Sequence, residues 1–167
     1  DESMLAAYSA TSAATEKALR DCATTLKARL PGPEITPAQL AARSWWSGPD
    51  IYVVIDDLEL ISDIALAPLV ELLPHARDIG LHVVVARKSG GIGRALFGQF
   101  LSQLRDTQPE VFVMDAARDE GTMFGIKPAA QPPGRGQLGI GGELVGLCQA
   151  ALPQHAVTPE AVKVAEG

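Results

Sequence analysis

Three short apolar segments dominate the pattern of hydrophobic and polar positions along the chain. They lie at 51–56, 81–86 and 110–114 and are rich in valine and isoleucine. Runs of this length and composition predict strands, and continuous apolar runs are typical of strands covered on both faces in a parallel sheet. Helical patterns separate the three runs. The order strand–helix–strand–helix–strand predicts parallel strands joined by crossover helices.

The region before the first strand predicts two helices. Residues 13–30 carry an apolar stripe, and Ser12 is the expected N-cap. The stripe is Ala14, Ala18, Leu19, Cys22, Leu26 and Leu30. After a break at 31–33, Thr36 followed by Pro37 predicts the cap and first residue of a short helix that runs to about Arg43.

Two more helices are predicted between the strands. Residues 66–78 place leucines and a valine on one face, and Pro74 is expected to kink this helix or to divide it. Gly80 is expected to end it. Residues 92–104 carry Leu96, Phe97, Phe100, Leu101 and Leu104 at helical spacing, which predicts one continuous helix.

The last third of the chain is rich in glycine and proline. Residues 143–150, ELVGLCQA, predict another strand. Residues 154–167 are polar and are expected to form a frayed tail, so the predicted organisation is one domain at 1–153 followed by that tail. The chain begins with Asp1 instead of methionine, and we expect it to be a piece of a larger polypeptide.

Composition narrows the class of protein. The chain has 167 residues, 47% of them hydrophobic and 20% charged, which is ordinary for a globular domain. A net charge of −6 gives no basic surface of the kind that nucleic-acid binders show. No apolar run approaches the ~20 residues that cross a bilayer. Cys22 and Cys148 are too few for a metal cluster, and their apolar surroundings predict buried free thiols in a reducing compartment.

Several motifs are absent or out of context. None of the five lysines follows a glycine, so the chain contains no Walker A phosphate loop. Gly134, Gly136 and Gly139 do form a G-x-G-x-x-G, but prolines precede it and no helical pattern follows, so we interpret it as a turn or hairpin. The three histidines lack the spacing of metal ligands, and no serine lies in a G-x-S-x-G context.

Trp45 and Trp46 form a pair in the turn before the first strand. Two tryptophans on a loop are compatible with an anchor for a protein partner. The simpler interpretation is that they plug the edge of the core.

The strongest chemical signal is a pair of carboxylates, Asp56 and Asp57, at the end of the first strand. Open α/β sheets bind ligands outside the carboxyl ends of their strands. One interpretation is therefore a magnesium–nucleotide site, with Arg87 and Lys88 at the end of the next strand as cationic partners. The alternative is structural, with Asp57 as the N-cap of a following helix. These residues alone do not decide between the two.

The order of motifs resembles the FtsK/SpoIIIE group of P-loop ATPases, and most closely the last ATPase module of the EccC proteins of type VII secretion. The resemblance is carried by VVIDDLELI (53–61), LVELLPHARDIGLHVVVARKSGG (69–91), DEGTMFG (119–125) and PPGRGQL (132–138). LPGPEITPAQLAARSWWSGP (30–49) supports it, and the match spans roughly residues 2–153.

This resemblance implies a fold, a cofactor and residue roles. The fold is an α/β, RecA-like P-loop ATPase core with a mostly parallel sheet and crossover helices, without the upstream phosphate-loop segment. The cofactors are ATP and Mg²⁺. Asp56 matches the aspartate that holds Mg²⁺ through water, and Asp57 falls where active motors carry a catalytic glutamate. Lys88 falls at the polar sensor position, and Arg135 lies in the glycine-flanked segment before the C-terminal hairpin.

The resemblance also implies a biological setting. Aspartate is one methylene shorter than glutamate, so Asp57 is expected to support little turnover. We expect a nucleotide-binding module that helps to recognise the C-terminal signal of an exported helical-hairpin protein, through an apolar groove large enough for one helix. Neighbouring ATPase modules and membrane-anchored secretion subunits are the other expected partners, at the cytoplasmic face of the membrane. The alternatives are an active protein-translocating ATPase and, disfavoured by the acidic charge, a DNA motor.

Overall fold

A computed structural model describes residues 4–151, which form two compact units divided between Pro109 and Glu110. Each unit is described by itself. The helices are α1 (Ser12–Lys27), α2 (Pro37–Ala42), α3 (Asp63–Val70), α4 (Ala76–Ile79), α5 (Ile92–Ala95) and α6 (Gln99–Asp106). The strands are β1 (Ile51–Ile55), β2 (Leu81–Val85), β3 (Glu110–Val113), β4 (Arg135–Ile140) and β5 (Glu143–Gln149). The predicted tail at 154–167 lies outside the described residues.

The first unit contains a parallel pair of strands, β1 and β2, as predicted. The register runs from Ile51 opposite Leu81 to Ile55 opposite Val85. Crossing from one parallel strand to the next requires a long connection. Residues 56–80 provide it with α3, a 3₁₀ turn at Leu73–His75 and α4.

One cluster of the first unit's core packs on one face of this strand pair. It consists of the buried residues Ala23, Leu26, Leu72, Ile79 and Leu81, with Ile51, Val53 and Val83 packed against them. Fully burying one such aliphatic side chain stabilises a fold by about 1.5–3 kcal/mol. The predicted first helix is confirmed, although it ends at Lys27 and not at residue 30. Thr11 caps it in place of Ser12: the Thr11 Oγ1 accepts a hydrogen bond from the N–H of Ala14 at 3.4 Å.

The prediction that β1 is covered on both faces is wrong for the first unit. Tyr52, Val54 and Val84 are exposed, because α1 and the residues around α4 pack on the opposite side of the strands. On the exposed face, the Tyr52 and His82 rings stack with centroids 4.4 Å apart. Side chains along β1 and β2 consequently alternate between exposed and at least partly buried.

Some helices of the first unit differ from their predicted bounds, because a glycine, a proline or a capping residue sets where they begin, end or break. The predicted α2 is confirmed, including a capping box between Thr36 and Gln39. The 66–78 segment begins earlier, at Asp63, because Ser62 caps it, and it is divided near Pro74 as expected. The 92–104 segment is not continuous: Gly98 has extended backbone angles and separates α5 from α6. Phe97 in this break is exposed.

The tryptophan pair supports the edge of the core. Trp45 Nε1 donates to the carbonyl of Arg29 at 2.7 Å, and Trp46 Nε1 donates to the carbonyl of Asp78 at 2.8 Å. Both bonds are partly buried. This geometry agrees with the core-edge interpretation.

The second unit is an antiparallel sheet in the order β3-β4-β5. β3 was predicted correctly as a strand, but it pairs antiparallel with β4. The expectation of a mostly parallel sheet is therefore wrong for the described pairings, where β1–β2 is parallel and β3–β4 and β4–β5 are antiparallel. The β4–β5 pair is antiparallel because the tight Gly141–Gly142 turn joins the two strands, and a hairpin connection permits only antiparallel strands. The β3–β4 pair is antiparallel as well, with Glu110 opposite Ile140 and Val113 opposite Gln137.

The G-x-G-x-x-G segment forms part of this hairpin, as predicted. Its glycines are required by packing: an added Cβ at Gly136 would lie 2.7 Å from Phe112 Cζ, and one at Gly139 would lie 2.6 Å from Ile126 Cδ1. Cys22 and Cys148 are free thiols, but only Cys22 is partly buried. The predicted burial of Cys148 is wrong because β5, at the edge of the sheet, is almost entirely exposed.

Candidate functional site

The Asp56–Asp57 pair lies where β1 ends. Two backbone hydrogen bonds hold this end beside the end of β2: Ala86 N–H donates to Ile55 at 2.8 Å, and Leu58 N–H donates to Ala86 at 2.9 Å. Leu58 is buried and anchors the chain after the pair. Asp56 is exposed and Asp57 is half-buried. The carboxyl ends of the two parallel strands thus meet at the position expected for a ligand site.

Asp57 has a left-handed backbone conformation with φ 50° and ψ 55°. Its N–H donates to Asp56 Oδ1 at 3.1 Å. Left-handed conformations are uncommon for residues other than glycine, although aspartate tolerates them better than most. Such residues cluster at functional sites, where surrounding packing holds them in place. The buried Leu58 that follows supplies that packing here.

The structural alternative for Asp57 is not supported. Asp57 precedes the 3₁₀ turn Leu58–Leu60, but its side chain makes no capping hydrogen bond. Helix α3 is capped instead by Ser62, whose Oγ accepts a hydrogen bond from Ala65 N–H at 3.3 Å. Helix capping therefore does not explain the Asp57 carboxylate.

Arg87 and Lys88 follow β2, but neither makes an ion pair with the two aspartates among the described residues. Lys88 Nζ lies 3.8 Å from Glu59 Oε1. Arg87 donates through Nε to the carbonyl of Lys88 at 3.0 Å and through Nη2 to that of Gly90 at 3.2 Å. The Arg87 guanidinium therefore holds its own loop in shape. The Lys88 side chain is largely exposed.

Glu59 belongs to this site and was not predicted. Its pKa is lowered, chiefly by a hydrogen bond from its own backbone N–H, and further by the N–H of Lys88 and the charges of Lys88 and Arg87. The sequence signal for Glu59 was its position two residues after Asp57. Only the 3₁₀ turn brings it towards the end of β2.

Arg135 lies in the second unit as the first residue of β4. Its Nε donates to Gln149 Oε1 at 3.3 Å, and Gln149 Nε2 donates to the carbonyl of Pro133 at 3.3 Å. These contacts fix the start of the hairpin. They do not assign Arg135 to the site at the end of β1.

A cleft of about 360 Å³ opens beside the ends of β1 and β2 in the first unit. Its apolar wall consists of Leu58, Leu66, Phe100 and Leu101, which are all buried. Four charged residues also line it: Glu59, Asp63, Arg87 and Arg94. A cleft with apolar walls and a few polar groups is the usual form of a binding site.

The residues at the strand ends fit magnesium–nucleotide binding in part. Mg²⁺ is commonly held by one or two carboxylates together with substrate phosphates and water. Two carboxylates lie at this edge: that of Asp57 makes no capping hydrogen bond, and that of Asp56 accepts a hydrogen bond from the Asp57 N–H. Residues 4–151 contain no cluster of three or more His, Cys, Asp or Glu placed to hold a metal by themselves. The sequence contains no Walker A motif that could serve as a phosphate cradle at this edge.

The fold is that of an ATPase domain. A solved structure described as the cytoplasmic domain of the Thermomonospora curvata type VII secretion ATPase EccC matches with a TM-score of 0.83 and 42% sequence identity, over 88% of this chain and 18% of that one. T. curvata EccC (ATPases 2 and 3) in complex with a signal sequence peptide matches equally well, over 88% of this chain and 27% of that one. No family model matches the chain.

The particular relatives are the EccC proteins of type VII secretion. The chain is 48% identical over 151 residues to the ESX-4 secretion system protein EccC4 of Mycobacterium tuberculosis (strain ATCC 25618 / H37Rv), which covers 88% of this chain and 12% of that protein. The resemblance to an EccC ATPase module is confirmed. The chain spans about an eighth of the length of this relative. No helix among residues 4–151 is long and apolar enough to cross a membrane.

Proposed function

We propose that the chain is a nucleotide-binding module of a type VII secretion ATPase, of the FtsK/SpoIIIE type, that turns ATP over slowly and helps to recognise an export signal. The observation that carries the proposal is the match to T. curvata EccC (ATPases 2 and 3) in complex with a signal sequence peptide. The signal belongs to the C-terminus of an exported helical-hairpin protein. The cleft beside β1 and β2 supports such a role, since it offers an apolar wall in a module of this class.

The nucleotide-binding part of the proposal assigns roles to the strand-end residues. Asp56 holds Mg²⁺ through water, and Lys88, whose exposed side chain lies 3.8 Å from Glu59, contacts the terminal phosphate of ATP. Asp57 orients the attacking water, but its short side chain limits turnover. Arg87 shapes the loop that carries Lys88.

The proposed setting is the cytoplasmic face of the membrane, within a secretion complex. Residues 1–153 act as one part of an ATPase domain, next to other ATPase modules and membrane-anchored subunits of the same machine. A phosphate-loop segment outside this chain completes the nucleotide site.

Calorimetric titration of Mg²⁺–ATP tests this proposal, with a polypeptide in which the chain is joined to a Walker A segment. Phosphate release is then measured for the same protein and for Asp57→Glu and Asp57→Ala. We expect binding with slow release, faster release for Asp57→Glu because glutamate reaches further, and unchanged binding for Asp57→Ala. Absence of ATP binding would contradict the nucleotide-binding proposal.

A second candidate function is an active motor that moves protein. The observation that favours it is the half-buried Asp57, whose carboxylate makes no helix-capping hydrogen bond. Rapid phosphate release that Asp57→Ala abolishes would select this candidate. DNA translocation is the less favoured form of it, since the net charge of −6 opposes phosphate-backbone contacts.

A further inference from the structure

One carboxylate joins the loop after β1 to the loop after β2. Glu59 lies in the 3₁₀ turn Leu58–Leu60, and its Oε1 is 3.8 Å from Nζ of Lys88. The same carboxylate accepts hydrogen bonds from its own backbone N–H and from that of Lys88, which lower the pKa of Glu59 and keep it ionised at neutral pH. The Glu59 side chain is 23% exposed and that of Lys88 is 80% exposed. Glu59 is therefore the more enclosed partner of this ion pair.

The backbone on both sides of this ion pair is held by other contacts as well. Leu58 N–H donates to the carbonyl of Ala86 at 2.9 Å, which links the two loops directly. Arg87 Nε donates to the carbonyl of Lys88 at 3.0 Å. These bonds do not involve the Glu59 carboxylate, so they remain when its charge is removed. Removal of that charge therefore acts mainly on the Lys88 ammonium.

Glu59 is the only ion-pair partner of Lys88 among residues 4–151, and within the same residues neither Asp56 nor Asp57 forms an ion pair. An ammonium is a compact point charge, so an anion that approaches Lys88 competes with Glu59 for it. Because the attraction between charges falls with distance, this competition concerns chiefly the anionic group nearest the ammonium.

We propose that Glu59 sets the preference of this site between ATP and ADP, because its carboxylate competes with the terminal phosphate of ATP for Lys88. The inference rests on the proposed function, which takes a nucleotide as the anion at Lys88, and it adds the residue that controls selectivity. ADP lacks the terminal phosphate, so Glu59 affects its binding little. The ion pair is open to solvent, and exposed pairs contribute modestly and are screened by salt. Glu59 therefore lowers the affinity for ATP without abolishing it.

Calorimetric titration of Mg²⁺–ATP and of Mg²⁺–ADP tests the inference in the polypeptide that joins the chain to a Walker A segment. Glu59→Gln removes the charge and keeps the size of the side chain. The matched control is Glu71→Gln, since Glu71 forms an exposed ion pair with Lys27 at 2.8 Å and neither of these residues lies at the end of β1 or β2. The double variant Glu59→Gln with Lys88→Gln shows whether the effect acts through Lys88. Thermal melts without nucleotide establish that each variant is folded.

We expect Glu59→Gln to strengthen ATP binding by about two- to fivefold at low salt, with a smaller gain at high salt, and to leave ADP binding nearly unchanged. Most of the gain should disappear when Lys88 is replaced as well, and Glu71→Gln should change neither affinity. If ATP binds but Glu59→Gln leaves the ratio of the two affinities unchanged, or changes it no more than Glu71→Gln does, the inference is overturned while nucleotide binding stands. A gain that persists in full without Lys88 also overturns it. If the parent polypeptide binds neither nucleotide, the proposed nucleotide site fails and the inference fails with it.

Discussion

The guanidinium of Arg29 lies over the indole ring of Trp46, with Cζ 4.3 Å from the ring centroid. The same guanidinium donates through Nη1 to the carbonyl of Ile79 at 3.1 Å and through Nη2 to that of Pro49 at 3.0 Å. Arg29 is 8% exposed. One buried side chain thus joins the end of α1, the end of α4 and the turn before β1. A planar guanidinium can donate two hydrogen bonds and stack on an aromatic ring at the same time, which the ammonium group of lysine cannot do.

Replacement of Arg29 by lysine is therefore expected to destabilise the chain by about 1–3 kcal/mol, because one or both carbonyls lose their buried partner. Urea unfolding at neutral pH measures the change. Arg105→Lys, at an exposed helical position, is the control and is expected to stay within about 0.5 kcal/mol of the parent. Equal stability of the two variants would show that the Arg29 contacts contribute nothing specific.

Asp57→Gly is expected to leave stability unchanged or to raise it by up to about 1–2 kcal/mol, because glycine adopts the φ of 50° without the steric cost of a Cβ. Ser62→Ala is expected to cost about 1 kcal/mol, since it removes the cap of α3. Thermal unfolding of the two variants compares them directly. A loss of stability in Asp57→Gly equal to that in Ser62→Ala would restore the structural interpretation of Asp57.

Acid should weaken the contact between Asp50 and His82. The pKa of Asp50 is lowered, chiefly by the hydrogen bond from His82, whose Nε2 lies 2.9 Å from Asp50 Oδ2. A lowered folded-state pKa stabilises the fold above the ordinary value of 3.8, and this contribution is lost as the pH falls through the folded-state pKa. Melting temperatures of the parent and Asp50→Asn should therefore differ at pH 6 and converge on acidification below that ordinary value. A difference that persists unchanged in strong acid would contradict this assignment.

Gly139→Ala is expected to destabilise the second unit by about 1–3 kcal/mol, because the new methyl group would lie 2.6 Å from Cδ1 of Ile126, which is 1% exposed. Gly146→Ala is the matched control in the same hairpin, where a Cβ would meet no atom within 4 Å. That substitution is expected to be neutral or to stabilise by about 0.5–1 kcal/mol. Hydrogen exchange of the β4–β5 amides reports both effects, and similar exchange in the two variants would argue against the packing requirement at Gly139.

Local sequence patterns predicted the elements well where a short-range rule was sufficient. β1 and β2 followed from runs of β-branched residues, α2 from a cap and a proline, and the hairpin from its glycines. The break at Gly98 was missed because a periodic pattern of leucine and phenylalanine continues across it. The antiparallel pairing of β3 was missed because an apolar run carries no information about the direction of its neighbour.

The sequence predicted which residue types lie at the candidate site, but it predicted only some of the contacts between them. Asp56 and Asp57 lie at the strand end, as their position after an apolar run indicated. Lys88 pairs with Glu59, a residue that the sequence analysis did not select, since the 3₁₀ turn that brings the two together leaves no periodic signal. The cleft could not be predicted, because its lining comes from segments between residues 58 and 101 that only packing assembles.

The sequence by itself determined the strand and helix types, the absence of a Walker A motif in this chain and the carboxylate pair at the end of β1, because each depends on residues close together in the chain. It also determined the relation to EccC ATPases, because that depends on the order of motifs. Only the tertiary structure decided which strand face is covered, that the Asp57 side chain makes no capping hydrogen bond, and that Arg94 lines a cleft without an ion pair among residues 4–151. Burial and pairing depend on which distant residues meet in space. No local pattern encodes those distances, so only the folded chain defines them.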